Sequence, residues 1–290
     1  MKGVILAAGE GSRIQRVTYG AYPKELLPIG NIPTIRFPIE AMRLAGIRNI
    51  LVVIAPRTKH GIVDGLQNGE NFGVEICYVI QKRDERKITG LGQAILSVKG
   101  WIEPEESFVV ACGDTILCDF SETHPLDCIR PLLKIHESTE AVATVLVHPT
   151  HVDPRRFGLV KFHCLQEKDG MLYGGIQKLV EKPDLETARL YKANGYYHVI
   201  TGYYLFKPRI FEYIEKTPPS VNNEIQITDA MRLAIEHGDC VQAVVHGRNH
   251  GSQLVPCDYW DVGVPEVYKE ANRRLLDEDL DKYLYVEKSP

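Results

Sequence analysis

An α/β protein is expected from this sequence, built on a doubly wound, mixed and mainly parallel sheet with inserted β-elements. Three features point there. Compact apolar runs rich in Val and Ile recur through the first half, amphipathic stretches separate them, and the second half turns to strands joined mostly by turns. Runs of that length and composition read as buried strands. Their alternation with helices implies parallel pairing, with the ligand site at the carboxyl ends of the strands.

In chain order, the first-half strands are expected at 4–7, 50–54, 74–80 and 108–111. Between them a helix is expected over 39–45, stopped by Gly46 as a left-handed cap. Another follows at 92–96. In the second half, 141–147, 159–165, 176–181 and 199–206 are expected strands. A helix then begins near Thr228, a good N-cap with Asp229 in the first turn, and ends at Gly238. The last helix is expected over 265–276 with Pro265 in its first turn, followed by an acidic, solvated tail at 277–281. Without internal repeats or Pro/Gly/Ser-rich linkers, the chain reads as one domain over 1–290.

Composition narrows the function classes. Thirty-four basic and 38 acidic residues give a net charge of −4, so the basic excess of a nucleic-acid protein is absent. A local cationic pocket for small anions stays compatible with that balance. The seven cysteines are scattered and form no CxxC pair, which argues against a disulfide framework or zinc ribbon and for a reducing, cytoplasmic setting. No apolar stretch approaches the roughly 20 residues that span a bilayer, so no membrane partner is expected.

The chemistry begins in the loop after the first strand. Leu6-Ala7-Ala8-Gly9-Glu10-Gly11-Ser12-Arg13 places glycines where backbone N–H groups can approach a phosphate. The dinucleotide fingerprint fails because Ile14 stands where its last glycine belongs, and the Gly-Lys-Ser/Thr of a Walker A loop is missing. What remains is GxGSR, ending in a guanidinium fork suited to phosphate oxygens. Ten residues on, Lys24 lies within Pro23-Lys24-Glu25-Leu26-Leu27-Pro28, so stiff backbone presents its ammonium.

Together these two segments resemble the sugar-1-phosphate nucleotidylyltransferases, and further segments resemble that family in consistent order. They are Gly90-Leu91-Gly92-Gln93-Ala94, Gly113-Asp114, Phe157-Gly158-Leu159-Val160, Glu181-Lys182-Pro183, Gly202-Tyr203-Tyr204, the run from Asn223 through Glu224 to Asp229, and Tyr259-Trp260-Asp261-Val262-Gly263. The resemblance implies a Rossmann-like fold of the nucleotide-diphospho-sugar transferase type. It also implies a reaction that joins a nucleoside triphosphate to a sugar 1-phosphate with release of pyrophosphate. Residues 1–120 would mainly bind nucleotide and 121–264 mainly sugar, with 265–290 a C-terminal helix and tail. One departure stands out: the family's proline three residues after the loop arginine is replaced by Arg16.

Leu6, Ala8, Gly9, Gly11, Ser12 and Arg13 are accordingly expected at the nucleotide, with Arg13 towards the departing pyrophosphate. Gly92 and Gln93 are expected at the base, where an amide can pair with a pyrimidine's carbonyl and N–H together. Lys24 would neutralise the α-phosphate and Lys182 the sugar phosphate, while Gly158, Glu181, Gly202 and Glu224 would contact the sugar. Asp114 and Asp261 would hold Mg²⁺, a hard ion that takes one or two carboxylates plus substrate oxygens. The nucleophile needs no general base, because a phosphate monoester has a second pKa of about 6. The expected pair is dTTP with glucose 1-phosphate, the alternative UTP with glucose 1-phosphate; the family's habit adds a homo-oligomer.

Other readings weigh less. A non-catalytic regulatory relative would be expected to lose Arg13, Lys24 or an aspartate, and all are present. A glycosyltransferase would want a DxD after a central strand, whereas here it lies in the tail. His246, His250 and Cys257 hint at a metal but lack a fourth ligand. Tyr196-Tyr197 and Tyr203-Tyr204 read as strand residues in a core.

Overall fold

The first strand forms at Gly3–Ala7, all five residues buried. In the computed structural model, which describes residues 1–56, 59–82, 88–250 and 253–285, it pairs in parallel with Asn49–Ile54 and with Phe108–Cys112. Asn49–Ile54 pairs in parallel in turn with Glu75–Ile80. The expected strands thus form within a residue or two of their predicted ends. Parallel register aligns Leu6 with Cys112, so the chain leaves both strands at the same sheet edge. The 8–13 loop and Gly113-Asp114 therefore begin side by side.

By internal contacts the chain divides into two units, each discontinuous in sequence. One comprises Met1–Lys82, Val109–Ile129 and Asp258–Pro290; the other comprises Arg83–Phe108 and Arg130–Cys257. In the first, helix Arg36–Leu44 buries Phe37, Ile39, Ala41 and Met42 and gives way at Ala45 and Gly46, the latter at φ +83°. A short antiparallel ladder, Thr115–Cys118 with Asp258–Asp261, returns the C-terminal segment to the edge that carries Asp114. Ile116, Leu126, Trp260, Val262, Ala271 and Leu275 form a core around it.

The tail differs from expectation. Helix Pro265–Leu275 starts on its proline as predicted, but the acidic segment beyond it is not simply solvated. Leu280 is buried in that same core, and Asp281 accepts from the Asn31 amide at 3.2 Å. Tyr283 and Leu284 pack against the same core just beyond it.

The second unit is a mixed sheet. Ala143–Thr150 runs antiparallel to Tyr197–Phe206 and parallel to Val241–Val245. Met171–Glu181 pairs antiparallel with Val241–Val245 and with Gly158–Phe162. That strand is longer than the predicted 176–181 because Gly174 and Gly175 lie inside it. Gly174 sits against the Cys164 carbonyl with no room for a Cβ, a close approach that only glycine allows. Helices Ile129–Thr139 and Ile210–Lys216 were not expected; Pro131 falls in the first turn of the former, where its missing N–H costs nothing. The paired tyrosines are core residues, at 9% exposure or less. Helix Ile227–Glu236 begins one residue before the predicted cap, so Thr228 lies in its first turn.

Candidate active site

In the first unit the glycine loop closes over the lysine. Gly11, at φ +69°, ends the loop and opens the turn Ser12–Ile14. A Cβ on Gly9 would lie 3.5 Å from Lys24 Cε and Nζ, and one on Gly11 3.5 Å from Lys24 Cδ. The lysine stem therefore runs beneath the loop, and its ammonium emerges at the loop's mouth. Two prolines and the bond from Leu26 N–H to the Pro23 carbonyl hold its turn. Leu6 enters the arrangement through its backbone: its carbonyl accepts from Gly113 N–H at 3.0 Å, tying the loop strand to the Asp114 turn.

Lys24 Nζ pairs with Asp114 Oδ2. Burial works against the Lys24 ammonium, but Asp114, Glu25 and Asp261 outweigh it and hold its pKa above the ordinary lysine value. Burial likewise opposes the Asp114 carboxylate, yet the Lys24 charge and hydrogen bond, with help from Arg13, keep its pKa below the usual value. Both groups are therefore charged at neutral pH. Arg13 Nη2 lies 3.6 Å from Asp261 Oδ2 and is more than half exposed, free to turn to a ligand.

Gly263 shows how the three converge. A Cβ there would lie 3.0 Å from Asp261 Oδ1, 3.1 Å from Asp114 Oδ2 and 3.3 Å from Arg13 Nη2. Only a residue without a side chain leaves the space between two carboxylates and a guanidinium open. Val262 N–H donates to the Asp114 carbonyl, and Gly263 N–H to Asp261 Oδ1, which fixes both aspartates. Their oxygens are hard donors facing one spot. Among the described residues no cluster of three or more His, Cys, Asp or Glu could hold a metal, so an ion here would draw its other ligands from substrate or water.

Behind the site lie two charges the sequence did not single out. Glu25 is buried, its pKa raised by that burial against the pull of Lys24 and Lys59. Lys59 Nζ donates to Glu25 Oε2 at 2.6 Å.

The second unit gathers the expected sugar residues. A Cβ on Gly158 would meet Glu181 Oε2 and Ile200 Cδ1 at 2.9 Å and Thr228 Oγ1 at 3.0 Å. Glu181 Oε2 accepts from the Thr228 hydroxyl at 2.7 Å, so Thr228 orients a carboxylate and does not cap its helix. Burial raises the Glu181 pKa, opposed by that hydrogen bond and by Lys182. Lys182, at φ +42°, lies 3.3 Å from Glu224 Oε2 and 3.7 Å from Glu181 Oε1. A non-glycine residue held in the left-handed region signals a position fixed by its surroundings. Gly202, at φ +93°, sits where the pairing of Tyr197–Phe206 with Ala143–Thr150 shifts register. Such bulges re-aim the strand beside a site.

Gly92 and Gln93 lie at the start of helix Leu91–Leu96, also in this unit. Gly92 N–H donates to the Ile225 carbonyl at 2.9 Å, and a Cβ there would lie 2.9 Å from that oxygen. Its glycine character thus serves close packing against the Glu224 segment. The half-buried Gln93 side chain has no hydrogen-bond partner among the described residues and is available to a ligand. His246 is buried, and His250's side chain lies outside the described residues.

Comparison with known proteins shows the family of the chain. Residues 2–278 match the family described as Nucleotidyl transferase. A low-salt glycan biosynthesis nucleotidyltransferase of Haloferax volcanii is 30% identical over 280 residues, covering 96% of this chain and 67% of that protein. A glucose-1-phosphate thymidylyltransferase of Neisseria meningitidis is 30% identical, covering 82% of this chain and 72% of that protein. A UTP–glucose-1-phosphate uridylyltransferase of Streptococcus pneumoniae is 32% identical, covering 79% and 78%. Among solved structures, UDP-glucose pyrophosphorylase complexed with UDP-glucose aligns with a TM-score of 0.75 at 27% identity, over 96% of this chain and 98% of that one.

Proposed function

Because the chain belongs to the nucleotidyl transferase family and is a sugar-1-phosphate nucleotidylyltransferase, we propose that it transfers a pyrimidine nucleotide onto glucose 1-phosphate, from dTTP first and UTP second. The observation that carries this reading is the convergence of Arg13, Asp114 and Asp261 on Gly263, with Lys24 paired to Asp114 beneath the glycine loop. Two anionic substrates need that kind of fixed charge, and neither needs a general base. A phosphate oxygen of the sugar 1-phosphate attacks the α-phosphorus, its new bond forming as the bond to pyrophosphate breaks.

Gly9, Gly11 and Ser12 offer N–H groups to the triphosphate, Lys24 takes the charge developing at the α-phosphate, and Arg13 follows the leaving pyrophosphate. Lys182 holds the sugar phosphate, with Glu181, Glu224, Gly158 and Gly202 around the hydroxyls. Asp114 and Asp261 suit Mg²⁺, which when bound supplies further positive charge to the phosphates. Gln93 pairs with the base. Thymine and uracil present the same pairing edge, so an amide alone does not separate dTTP from UTP. The pneumococcal relative and the UDP-glucose complex favour the UTP reading as the second one.

Setting belongs to the same proposal. None of the seven cysteines forms a disulfide, and no helix among the described residues is long and apolar enough to cross a membrane. A cytoplasmic homo-oligomer is the working expectation, checked by light scattering. The test of function is a matrix of nucleoside triphosphates against sugar 1-phosphates, with and without Mg²⁺, reading pyrophosphate release. Turnover with dTTP or UTP and glucose 1-phosphate is expected; turnover only with purine triphosphates would overturn the pyrimidine assignment.

A further inference from the structure

We propose that Lys59 is a positioning residue for the transfer: by occupying the Glu25 carboxylate it leaves the Lys24 ammonium to the substrate phosphate. The proposal rests on the nucleotidyl-transfer reading above. Glu25 directly follows Lys24 and is buried, with 1% of its side chain exposed. Lys59, 3% exposed, meets it at 2.6 Å. Among the described residues the second carboxylate oxygen, Oε1, has no hydrogen-bond partner.

The chain holds Lys59 in place. It immediately precedes helix His60–Leu66, and its carbonyl accepts from Ile62 N–H at 3.0 Å. The helix lies on the lysine turn through a face of glycines: a Cβ on Gly61 would lie 3.5 Å from Leu26 Cδ1, and one on Gly65 3.8 Å from Leu26 Cδ2. Glu25 in turn packs against the metal-side turn, since a Cβ on Gly113 would come within 3.1 Å of Glu25 Cγ. The ion pair is thus clamped between the element that carries Lys24 and the turn that carries Asp114.

Two ammoniums and two carboxylates can pair in more than one way. Both Lys24 and Lys59 act on Glu25, Lys24 through its charge and Lys59 through its charge and a hydrogen bond. The observed partition, Lys59 with Glu25 and Lys24 with Asp114, therefore depends on Lys59 holding Glu25 through Oε2. Without it, a buried carboxylate with unused acceptor capacity sits beside Lys24. Such a group demands a partner, and the strongest cation left is Lys24, drawn away from the mouth of the loop.

The test compares kcat and KM, with thermal melts alongside, for wild type, Lys59→Met, Lys59→Arg, Glu25→Gln and Glu25→Gln/Lys59→Met. Lys59→Met is expected to lower kcat at least about tenfold, the scale of a misplaced catalytic group, with KM for the sugar 1-phosphate within about twofold. Lys59→Arg should recover most of that loss. The decisive comparison is the double variant: with the competing charge gone, its kcat should exceed that of Lys59→Met and match Glu25→Gln alone. A purely structural lysine would leave the double variant no better than Lys59→Met. That result, or a wild-type kcat in Lys59→Met, overturns the inference while leaving the transferase reading intact. Should Lys59→Met fail to fold, unequal kcat between the double variant and Glu25→Gln overturns it. A wild type with no turnover overturns the transferase reading, and this inference with it.

Discussion

Lys24 and Arg13 stand in different electrostatic surroundings, and their substitutions separate accordingly. Lys24 is largely buried and balances Asp114. Lys24→Met should lower kcat by about 10²–10³-fold, the cost of removing one preorganised charge at a transition state. It should also lower stability, because breaking a buried pair strands the other charge, typically at about 3–5 kcal/mol. A sequence reading of Lys24 as a presented catalytic residue would expect folding to be indifferent; the Asp114 partner is what alters that. Arg13 is exposed and 3.6 Å from Asp261, a geometry of little stabilising value. Arg13→Ala is expected to lower kcat with an unchanged thermal melt, read by calorimetry beside steady-state kinetics. Arg13, Lys24, Asp114 and Asp261 were legible in the sequence as candidates because each lies in a short local motif. Glu25, Lys59 and Gly263 were not, since their roles come from contacts between segments far apart in the chain.

Elements explain which glycines matter. Gly158 leaves room for Glu181, Ile200 and Thr228 to meet, and a methyl group there would press all three at 3.0 Å or less. Gly158→Ala should displace the Glu181 carboxylate and raise KM for the sugar 1-phosphate, with an overpacking cost of about 1–3 kcal/mol. Thr228→Val should give a smaller rise and about 1 kcal/mol of destabilisation through the lost hydrogen bond to Glu181. Steady-state kinetics with the sugar phosphate varied, and denaturant melts, check both. Strand positions were readable from apolar runs, and the ends of helices 36–44 and 227–236 from Gly46 and Gly238. What escaped was the extension of Met171–Glu181 through two glycines, because the close approach of Cys164 that requires one of them is invisible in composition. The buried Leu280 is a similar case, one apolar residue in an acidic run whose partner is a core assembled from distant segments.

At the scale of the whole molecule, buried histidines set the response to acid. Burial pushes His136 and His198 down to about 4 and His148 to about 3, the last also repelled by His246 and His198. In the unfolded chain each titrates near 6.5. Below that pH the unfolded state binds more protons than the folded one, so stability falls with pH from about 6.5 towards 4. For the well-buried His136 and His198, the loss reaches about 2 kcal/mol each by pH 5. Urea melts from pH 7.5 to 4.5 should show that decline, and His198→Phe should flatten it. Equal slopes in both proteins would remove His198 from the explanation. The order of the chain hid one molecular feature: the segments 83–108 and 130–257 group together while residues 258–290 return to the first unit, so no single cut in the sequence separates them.

The fixed charges of Lys24, Arg13, Asp114 and Asp261 are the centre of this description, and one measurement reaches them most directly. It is pyrophosphate release from dTTP or UTP with glucose 1-phosphate in Mg²⁺, for the wild type and Lys24→Met side by side. Release by the wild type, reduced at least about 100-fold in the variant at saturating substrates, is the expected result. Equal release by the two proteins, or none from the folded wild type with either triphosphate, would contradict it.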